Sequence, residues 1–351
     1  MKTPFKLQIL AFLISFLGFA NDNDMAFTKQ KNINKAYIVN PDAGINIDNS
    51  YGNIFVTTWD ENKIEIDVLI KVSGNSETWV NKRISDIDVE IDALKSMVSA
   101  RTIIGKSDFY NNGNSNSFEI NYTIKIPKNG SINLNNKYGD IITGDILNKT
   151  DIVLKYGKIT LGKLYNVSND IQINYASNST IQYIKSGNIS CKYSGLNIDD
   201  SGTLNLLSEY TNVIINDIGN LKLETKYGSL RIGNAKNIDA IGKYTGFKIG
   251  EISNKLVIDT KYGGINIASV KANKIDISAG YSTINLGYNA DYAFDFDVSL
   301  NYANLNTENN VEYTNKEEVR NAKQYSGYNK RKGVNKINIT SSYGSVNLNQ
   351  N

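Results

Sequence analysis

Apolar and polar residues alternate along most of this chain, and a tyrosine interrupts the alternation at regular intervals. Between residues 130 and 306 these tyrosines stand 17 to 21 residues apart, in contexts such as NKYGD, LKYGK and TKYGS. Alternation with a period of two predicts β-strands on both sides of each tyrosine. A fixed repeat of this length is typical of a solenoid. The marker residues are Tyr138, Tyr156, Tyr175, Tyr193, Tyr210, Tyr227, Tyr244, Tyr262, Tyr281 and Tyr302.

Two positions in each repeat are apolar almost throughout. The position four residues before the tyrosine holds Leu134, Ile152, Ile171, Ile189, Leu206, Leu223, Ala240, Ile258, Ile277 and Val298. The position three residues after it holds Ile141, Ile159, Leu196, Val213, Leu230, Phe247, Ile265, Ile284 and Leu305, with Asn178 as the exception. The phase of the alternation slips by one residue at the tyrosine, which predicts a bend or bulge there.

Stacking of these repeats predicts an all-β fold, namely a parallel β-helix with repeats of about 18 residues. A single repeat cannot bury its own apolar side, whereas a stack of repeats makes one continuous core. The chain lacks the hexapeptide rhythm of left-handed β-helices, so we expect the right-handed form. A β-propeller needs roughly 40 or more residues per blade and fits poorly.

The pattern divides the chain into six segments. Ser76 can cap a short helix that carries Trp79, Val80, Arg83 and Ile84 on one side, and we place this helix in an N-terminal cap. The predicted segments are a signal peptide at 1–20, a linker at 21–36, the N-terminal cap with the first repeats at 37–130, the tyrosine-marked repeats at 131–306, a charged insert at 307–336 and closing strands at 337–351.

One stretch near the N-terminus resembles a known family. Residues 43–72 contain SYGNIFVTTWD, with Tyr51, Gly52, Asn53 and Trp59, and KYG-type repeats follow further along the chain. This resembles the bacterial putative-adhesin family of exported β-strand-repeat proteins, which is related to the head GIN domain. The resemblance covers roughly residues 37–350. It implies an exported β-helix with a surface or envelope role, and it supplies no catalytic residues.

The composition narrows the chemistry that the protein can perform. The sequence has 351 residues, no His, one Cys and a formal net charge of +3. The absence of His removes the commonest general base and metal ligand. A near-balanced charge argues against a nucleic-acid binder.

The remaining candidate residues for catalysis are few. Asp199 and Asp200 form a paired carboxylate, but glycoside hydrolysis needs two carboxylates that face each other, so we interpret this pair as turn residues. Cys191 occupies the position of Leu154 and Ile173 in other repeats, which predicts a buried side chain. We therefore predict no catalytic residues, no metal and no cofactor.

The outward or inward direction of two side-chain types follows from the alternation. Most of the marker tyrosines share the parity of the inward apolar positions, so we expect them to lie buried and stacked along one corner. Asparagines four residues after a tyrosine should point outward and form partial side-chain ladders. These asparagines are Asn197, Asn266, Asn285, Asn306 and Asn347.

Lysine recurs immediately before the marker tyrosine, and we call this set the lysine stripe. Like charges on neighbouring strands cost stability, so the stripe is either a solvated strand face or a site for an anionic ligand. Asn174 and Glu209 interrupt it. The lysine stripe comprises Lys137, Lys155, Lys192, Lys226, Lys243 and Lys261.

These observations favour a non-catalytic exported β-helix protein that serves as an adhesin or binding scaffold at the envelope or cell surface. The expected partner is an acidic polysaccharide or another surface component. The first alternative is a periplasmic polysaccharide-binding or polysaccharide-active protein, and the second is a structural envelope spacer. Nucleic acid is not an expected partner, and the processed chain is not expected to be an integral membrane protein.

The first prediction concerns processing of the N-terminus. Lys2 and Lys6 precede the apolar run LQILAFLISFLGF, and Gly18 and Ala20 are small residues at the spacing of a signal-peptidase site. We expect cleavage after Ala20, so N-terminal sequencing of exported protein should begin at residue 21. Exported protein that still carries its initiator methionine would contradict this prediction.

Overall fold

The computed structural model describes residues 25–106, 116–307 and 311–351. The predicted signal peptide at 1–20 lies outside these residues. The described part is nearly all β, as predicted, with one short helix. Its elements are Phe27–Ile38 (β1), Gly44–Ser50 (β2), Ile54–Trp59 (β3), Lys63–Gly74 (β4), Glu77–Ser85 (α1), Ile87–Ala93 (β5), Met97–Ile104 (β6), Ser117–Pro127 (β7), Ile132–Lys137 (β8), Ile141–Thr143 (β9), Thr150–Lys155 (β10), Ile159–Leu164 (β11), Asn169–Asn174 (β12), Ser179–Lys192 (β13), Gly195–Glu209 (β14), Asn212–Lys261 (β15), Ile265–Val270 (β16), Lys274–Gly280 (β17), Ile284–Tyr288 (β18), Phe294–Asn301 (β19), Leu305–Thr307 (β20), Val311–Val319 (β21), Ala322–Asn329 (β22), Lys336–Ser342 (β23) and Val346–Gln350 (β24).

Most strands belong to two parallel rows, and each strand pairs with the equivalent strand of the neighbouring repeat. The first row leads into the marker tyrosines and includes β2, β8, β10 and β12, whereas the second row follows them and includes β3, β9 and β11. In the first row Ile152 pairs with Leu134 and with Ile171, and Ile189 pairs with Leu206. The two residues of each of these three pairs stand 17 to 19 positions apart along the chain.

The strands lengthen toward the middle of the molecule. β13 and β14 each contribute to both rows, and β15 extends over three repeats, including the corners at Tyr227 and Tyr244, where φ is positive. Hydrogen bonding between repeats thus continues around the corners as well as along the flat faces. This uninterrupted pairing satisfies the backbone donors and acceptors of each repeat.

The core runs between the two rows. All ten side chains predicted four residues before a marker tyrosine are buried, which confirms the predicted apolar pattern. The position three residues after the tyrosine is also buried where it is apolar, except that Leu305 is only partly covered, and Asn178, the polar exception, is exposed. Cys191 is buried as predicted, and this burial raises the pKa of its thiol to about 12. Burial of the side chain agrees with a packing role for Cys191.

The N-terminal end of the rows is closed by antiparallel strands. β1 pairs along its whole length with β4, β4 pairs with β7, and β7 joins the second row by parallel pairing with β3. This differs from the linker predicted for residues 21–36. The segment has few apolar residues, so its own sequence does not show the alternation that predicts a strand. Ile33 and Tyr37 nevertheless pack against the core, and pairing with β4 orders the rest.

The short helix lies where the sequence predicts it. Its N-cap is Ser76, whose hydroxyl accepts a hydrogen bond from the Trp79 backbone N–H at 3.3 Å. Val80 is buried, and Trp79 and Ile84 are partly buried against the core. The helix therefore covers the end of the sheet with its apolar side.

The C-terminal end of the rows does not follow the order of the chain. β23 lies between β17 and β19, and β24 lies between β18 and β20. The predicted closing strands at 337–351 are thus inserted before the last repeat. In the predicted charged insert at 307–336, β21 and β22 form an antiparallel hairpin, and β22 pairs with β19. This hairpin covers the edge that the last repeat would otherwise leave open.

No helix in the described ranges has the length and hydropathy needed to cross a membrane.

A buried charge in the first row should unfold the neighbouring repeats. Ile258 is 1 % exposed and pairs with Ile277, whereas the adjacent Val257 is partly exposed. We expect Ile258→Asp to lower the free energy of unfolding by about 3–5 kcal/mol, because an uncompensated charge would lie in the core. Val257→Asp should cost much less. Urea unfolding measures both, and equal losses for the two variants would contradict the register described above.

Candidate binding surface

The marker tyrosines share one unusual backbone conformation. Together with Tyr51 and Tyr343 they have φ between 50° and 61°, the left-handed region that non-glycine residues seldom adopt. Hydrogen bonds between repeats hold this conformation. The Tyr138 N–H donates to the Lys155 carbonyl at 3.0 Å, and the Tyr156 N–H donates to the Asn174 carbonyl at 3.1 Å. The corner is therefore part of the parallel pairing.

The glycine that often follows the tyrosine is required by the close approach of the next repeat. A Cβ atom at Gly139 would lie 2.0 Å from the Gly52 carbonyl oxygen, and one at Gly263 would lie 1.9 Å from the Thr245 carbonyl oxygen. Only glycine fits at these two positions without movement of the backbone. This steric requirement explains the YG pairs at these two corners.

The left-handed corner turns the tyrosines outward, so the prediction that most of them point inward is wrong. Their side chains are 39 % to 55 % exposed. A residue with positive φ breaks the alternation of a strand, and the parity of the apolar positions does not carry through it. The predicted stacking along one corner is confirmed, but the stack lies on the surface.

The exposed rings form one continuous stack, which we call the tyrosine ladder. Neighbouring ring centroids are 4.7 to 5.1 Å apart, with interplanar angles of 3° to 23°. Each internal ring thus covers both of its faces with neighbours and exposes its edges. The ladder runs in the order Tyr51, Tyr138, Tyr156, Tyr175, Tyr193, Tyr210, Tyr227, Tyr244, Tyr262, Tyr281, Tyr343 and Tyr302.

The two ends of the tyrosine ladder differ. At the first end Phe118 packs against Tyr51 with a centroid distance of 5.0 Å, and the Arg83 guanidinium lies 4.4 Å from the Phe118 ring centre. At the other end Tyr302 stacks on Tyr343, its single ring partner in the described residues. The pKa of the Tyr210 hydroxyl inside the ladder is raised. The main cause is partial desolvation, and the neighbouring Tyr227 and Tyr193 and the carboxylate of Glu209 contribute less.

The lysine stripe borders the tyrosine ladder along the first row. All six of its lysines are exposed. Lys137 pairs with Lys155 in the parallel register, and Asn174 separates Lys155 from Lys192. The ammonium groups of Lys137, Lys155 and Lys243 lie 4.8, 5.2 and 5.6 Å from the ring centres of the tyrosines that follow them.

Charge along the lysine stripe is not uniform. Lys192 forms an ion pair with Glu209, with an Nζ–Oε2 distance of 3.0 Å. Within the described residues Lys226, Lys243 and Lys261 have no carboxylate oxygen within 4.0 Å. The stripe therefore has a neutralised part and an uncompensated part.

The other predicted candidates do not assemble into a reactive site. Asp199 and Asp200 are both exposed within β14 and not in a separate turn, and Asp199 accepts a hydrogen bond from the Asn216 amide at 3.4 Å. Two consecutive exposed residues mark a bend between the two rows. In the described part of the chain, no three His, Cys, Asp or Glu side chains are grouped so that they could hold a metal ion.

Asparagine ladders are present, and one of them was not predicted. The predicted outward set is linked where Asn306 donates to Asn347, and Asn347 to Asn285, both at 2.7 Å. A second ladder runs along another edge, and its members stand 17 or 19 residues apart in the sequence. That spacing in the sequence is a signal from which the second ladder could have been predicted. The repeats were aligned on their tyrosines, however, and these asparagines lie far from a tyrosine. The second ladder consists of Thr203, Asn220, Asn237, Asn254 and Asn273.

Comparison with known proteins gives likenesses at low identity. No protein-family model matches the chain, and no curated protein matches it. A putative adhesin from Parabacteroides distasonis matches at 11% identity and a TM-score of 0.36, over 91% of this chain and 97% of that one. A putative cell adhesion protein from Clostridium sporogenes matches at 11% identity and a TM-score of 0.16, over 92% and 100%.

A third solved structure carries a different description. It is a putative lipid binding protein from Parabacteroides distasonis, with 10% identity and a TM-score of 0.25, over 92% of this chain and 97% of that one. The first two descriptions name the kind of protein that residues 43–72 resemble. The descriptions do not mention the head GIN domain, so that relation stays a prediction.

Removal of one ring from the tyrosine ladder should destabilise the protein through lost stacking. Asn tolerates positive φ, so Tyr227→Asn removes the ring and keeps the corner. Because Tyr227 stacks on two neighbours, we expect a loss of about 1–3 kcal/mol in the free energy of unfolding. Tyr302→Asn should cost about half as much, since Tyr302 has one ring partner in the described residues.

The matched control for this prediction is Tyr227→Phe, which keeps the ring and removes the hydroxyl group. We expect it to change the free energy of unfolding by less than about 0.5 kcal/mol. Urea unfolding compares the three variants. If the Asn and Phe variants at residue 227 were equally stable, ring stacking would not contribute to the fold.

Proposed function

We propose that this protein is a non-catalytic adhesin or binding scaffold that is exported to the envelope or cell surface. The two parallel rows are then the walls of a right-handed parallel β-helix with coils of about 18 residues, and β1, β4 and α1 belong to its N-terminal cap. The pairing of residues 17 to 19 positions apart supports this winding. Export rests on the signal peptide predicted from residues 1–20.

The observation that carries the proposal is the regular spacing of exposed groups along one side of the molecule. The tyrosine ladder repeats every 4.7 to 5.1 Å, and lysines of the stripe border it over many repeats. A surface that repeats along a line suits a partner that also repeats along a line. The positive charge of the stripe favours an acidic polysaccharide.

The geometry of the rings limits how such a partner binds. Stacking between neighbours occupies the faces of the internal tyrosines, so a sugar ring cannot lie flat on them. Their edges and phenolic hydroxyl groups remain exposed and can form hydrogen bonds. Recognition then combines hydroxyl groups of the tyrosine ladder with ammonium groups of the lysine stripe.

Polysaccharide binding in the periplasm is a second candidate function that the same observation favours. It uses the same surface and differs in compartment. A polysaccharide-active enzyme would need opposed carboxylates or another reactive group at the ladder. Asp199 and Asp200 are consecutive, exposed residues of β14, and the adjacency does not provide that arrangement.

The proposal predicts that the lysine stripe contributes to binding as a group. We expect Lys192→Gln, Lys226→Gln and Lys243→Gln, combined in one variant, to weaken binding to alginate by roughly tenfold. Each exposed ion pair contributes up to about 1 kcal/mol, so three changes are needed for a clear effect. Binding of the native protein should also weaken as salt concentration rises.

The control variant changes the same number of charges away from the stripe, with Lys29, Lys35 and Lys236 each replaced by Gln. These lysines are exposed and do not precede a ladder tyrosine. Their replacement should leave binding close to that of the native protein. Equal loss in both variants would mean that net charge alone drives binding, and equal binding by the stripe variant and the native protein would remove the stripe from the proposal.

A further inference from the structure

One part of the tyrosine ladder borders an open groove in the second row. The groove has a volume of about 440 Å³ and follows Tyr227, Tyr244 and Tyr262. We call it the basic groove and define it by Arg231, Gly246, Lys248, Gly264 and Asn266, which are among the residues that line it.

The two glycines of the basic groove are not required by packing. A Cβ atom at Gly246 would meet no atom within 4 Å, and one at Gly264 would meet the nearest atom, the Thr283 carbonyl oxygen, at 3.8 Å. Neither residue has a positive φ. Gly263 is a contrast, because its Cβ would lie 1.9 Å from a neighbouring backbone oxygen.

Glycine in a strand weakens it and often marks a place where another molecule approaches the backbone. Most other repeats place a side chain at the position two residues after the tyrosine, such as Asp140, Lys158 and Asn212. Gly195 also occupies this position, but a Cβ atom there would lie 3.3 Å from the Asn178 backbone nitrogen, so its surroundings are tighter. Gly246, within β15, and Gly264, directly before β16, therefore keep the floor of the groove open, and Gly246 does so at a cost to strand stability. An open floor with no packing reason points to a ligand.

The charge of the basic groove identifies the chemistry of that ligand. Arg231 and Lys248 are exposed, and within the described residues they have no carboxylate within 4.0 Å. In an earlier repeat the equivalent region is neutral, because Lys158 lies 3.9 Å from Asp140. The groove lining contains no Asp or Glu.

The opposite side of the tyrosine ladder adds to this charge over the same repeats. Lys226, Lys243 and Lys261 precede Tyr227, Tyr244 and Tyr262, so cations border the ladder on both rows. Two carboxylates are also near in sequence, since Glu224 and Asp259 stand two residues before Lys226 and Lys261. Both belong to the first row and not to the groove.

We infer that the basic groove binds one anionic sugar unit of the polysaccharide, an inference that rests on the proposed function. The sugar ring lies over Gly246 and Gly264, where no side chain obstructs it. Its carboxylate or sulfate group is bound by Arg231, whose planar guanidinium can donate two parallel hydrogen bonds, and by the Lys248 ammonium. The lysine stripe attracts the polysaccharide but does not determine where along the repeats it binds. The basic groove determines that position.

The sharpest test fills the groove without disturbing the fold. In Gly246→Thr combined with Gly264→Thr, the new side chains enter open space, and Thr favours strands more than Gly does. Thermal unfolding should therefore show unchanged or higher stability. Affinity for an anionic oligosaccharide should fall by about tenfold or more, because the sugar ring can no longer reach the floor.

Gly144→Thr is the matched control, because a Cβ atom at Gly144 also meets nothing within 4 Å and Gly144 does not line the groove. Arg231→Gln combined with Lys248→Gln should reproduce the loss of affinity by removing charge, while Lys29→Gln combined with Lys35→Gln should not. The probes are a galacturonic acid oligomer, a sulfated galactose oligomer and a neutral galactose oligomer of equal length, measured by calorimetry. The anionic oligomer that binds identifies the group that Arg231 contacts.

Failure of this inference is distinguishable from failure of the proposed function. If the native protein binds an anionic oligomer and the double glycine variant binds it equally well, the groove is not the site, and the lysine stripe can still be. Binding of the neutral oligomer as tightly as the anionic ones would overturn the role of Arg231 and Lys248. If the native protein binds alginate but none of the three oligomers, the groove inference fails and the proposed function stands. If it binds neither alginate nor any of the oligomers, both fail.

Discussion

The whole structure depends on parallel hydrogen bonding that keeps equivalent residues of successive repeats in register, including at the corners. Once Ile152 pairs with Leu134 and Ile171, the residues that follow are also aligned, up to the tyrosine that ends the strand. The left-handed tyrosine then changes the direction of the chain without loss of its backbone hydrogen bond. The buried apolar columns, the tyrosine ladder and the lysine stripe all result from this single alignment. Each forms because residues of one type occupy the same position in successive repeats and are therefore stacked on one another.

The sequence predicted those features that depend on alternation and repetition. The buried columns through Ile258 and Ile277, the exposed lysine stripe and the capped helix at Ser76 are each visible in a few neighbouring residues. The direction of the tyrosines was missed because the parity argument assumes extended backbone at every residue. One residue with φ near 55°, such as Tyr175, turns its own side chain to the opposite side. The observed slip of phase was the sign of this conformation.

Features that depend on distant pairing could not be read from local pattern. β1 has few apolar residues and is a strand because β4 pairs with it. The position of β23 between β17 and β19 also has no local signal, since its own alternation is the same whichever neighbour it has. Both arrangements occur at the ends of the rows, where unpaired strand edges would promote association between molecules. The ends of a repeat structure are thus governed by a different constraint from its middle.

A perfectly regular surface can attract a charged polymer, but it cannot fix that polymer at one position, because every shift by one repeat gives the same contacts. Position along the stack of repeats must therefore be specified where the repetition fails. In this protein the regular surface is interrupted at two places. One is the ion pair of Lys192 with Glu209, and the other is the groove floor at Gly246 and Gly264, which has no side chains and lies beside Arg231. The first removes charge from the stripe, and the second opens space beside uncompensated charge. Under the proposed function, stability and specificity thus arise from different residues, because the regular positions hold the fold together and the irregular ones distinguish one part of its surface from another.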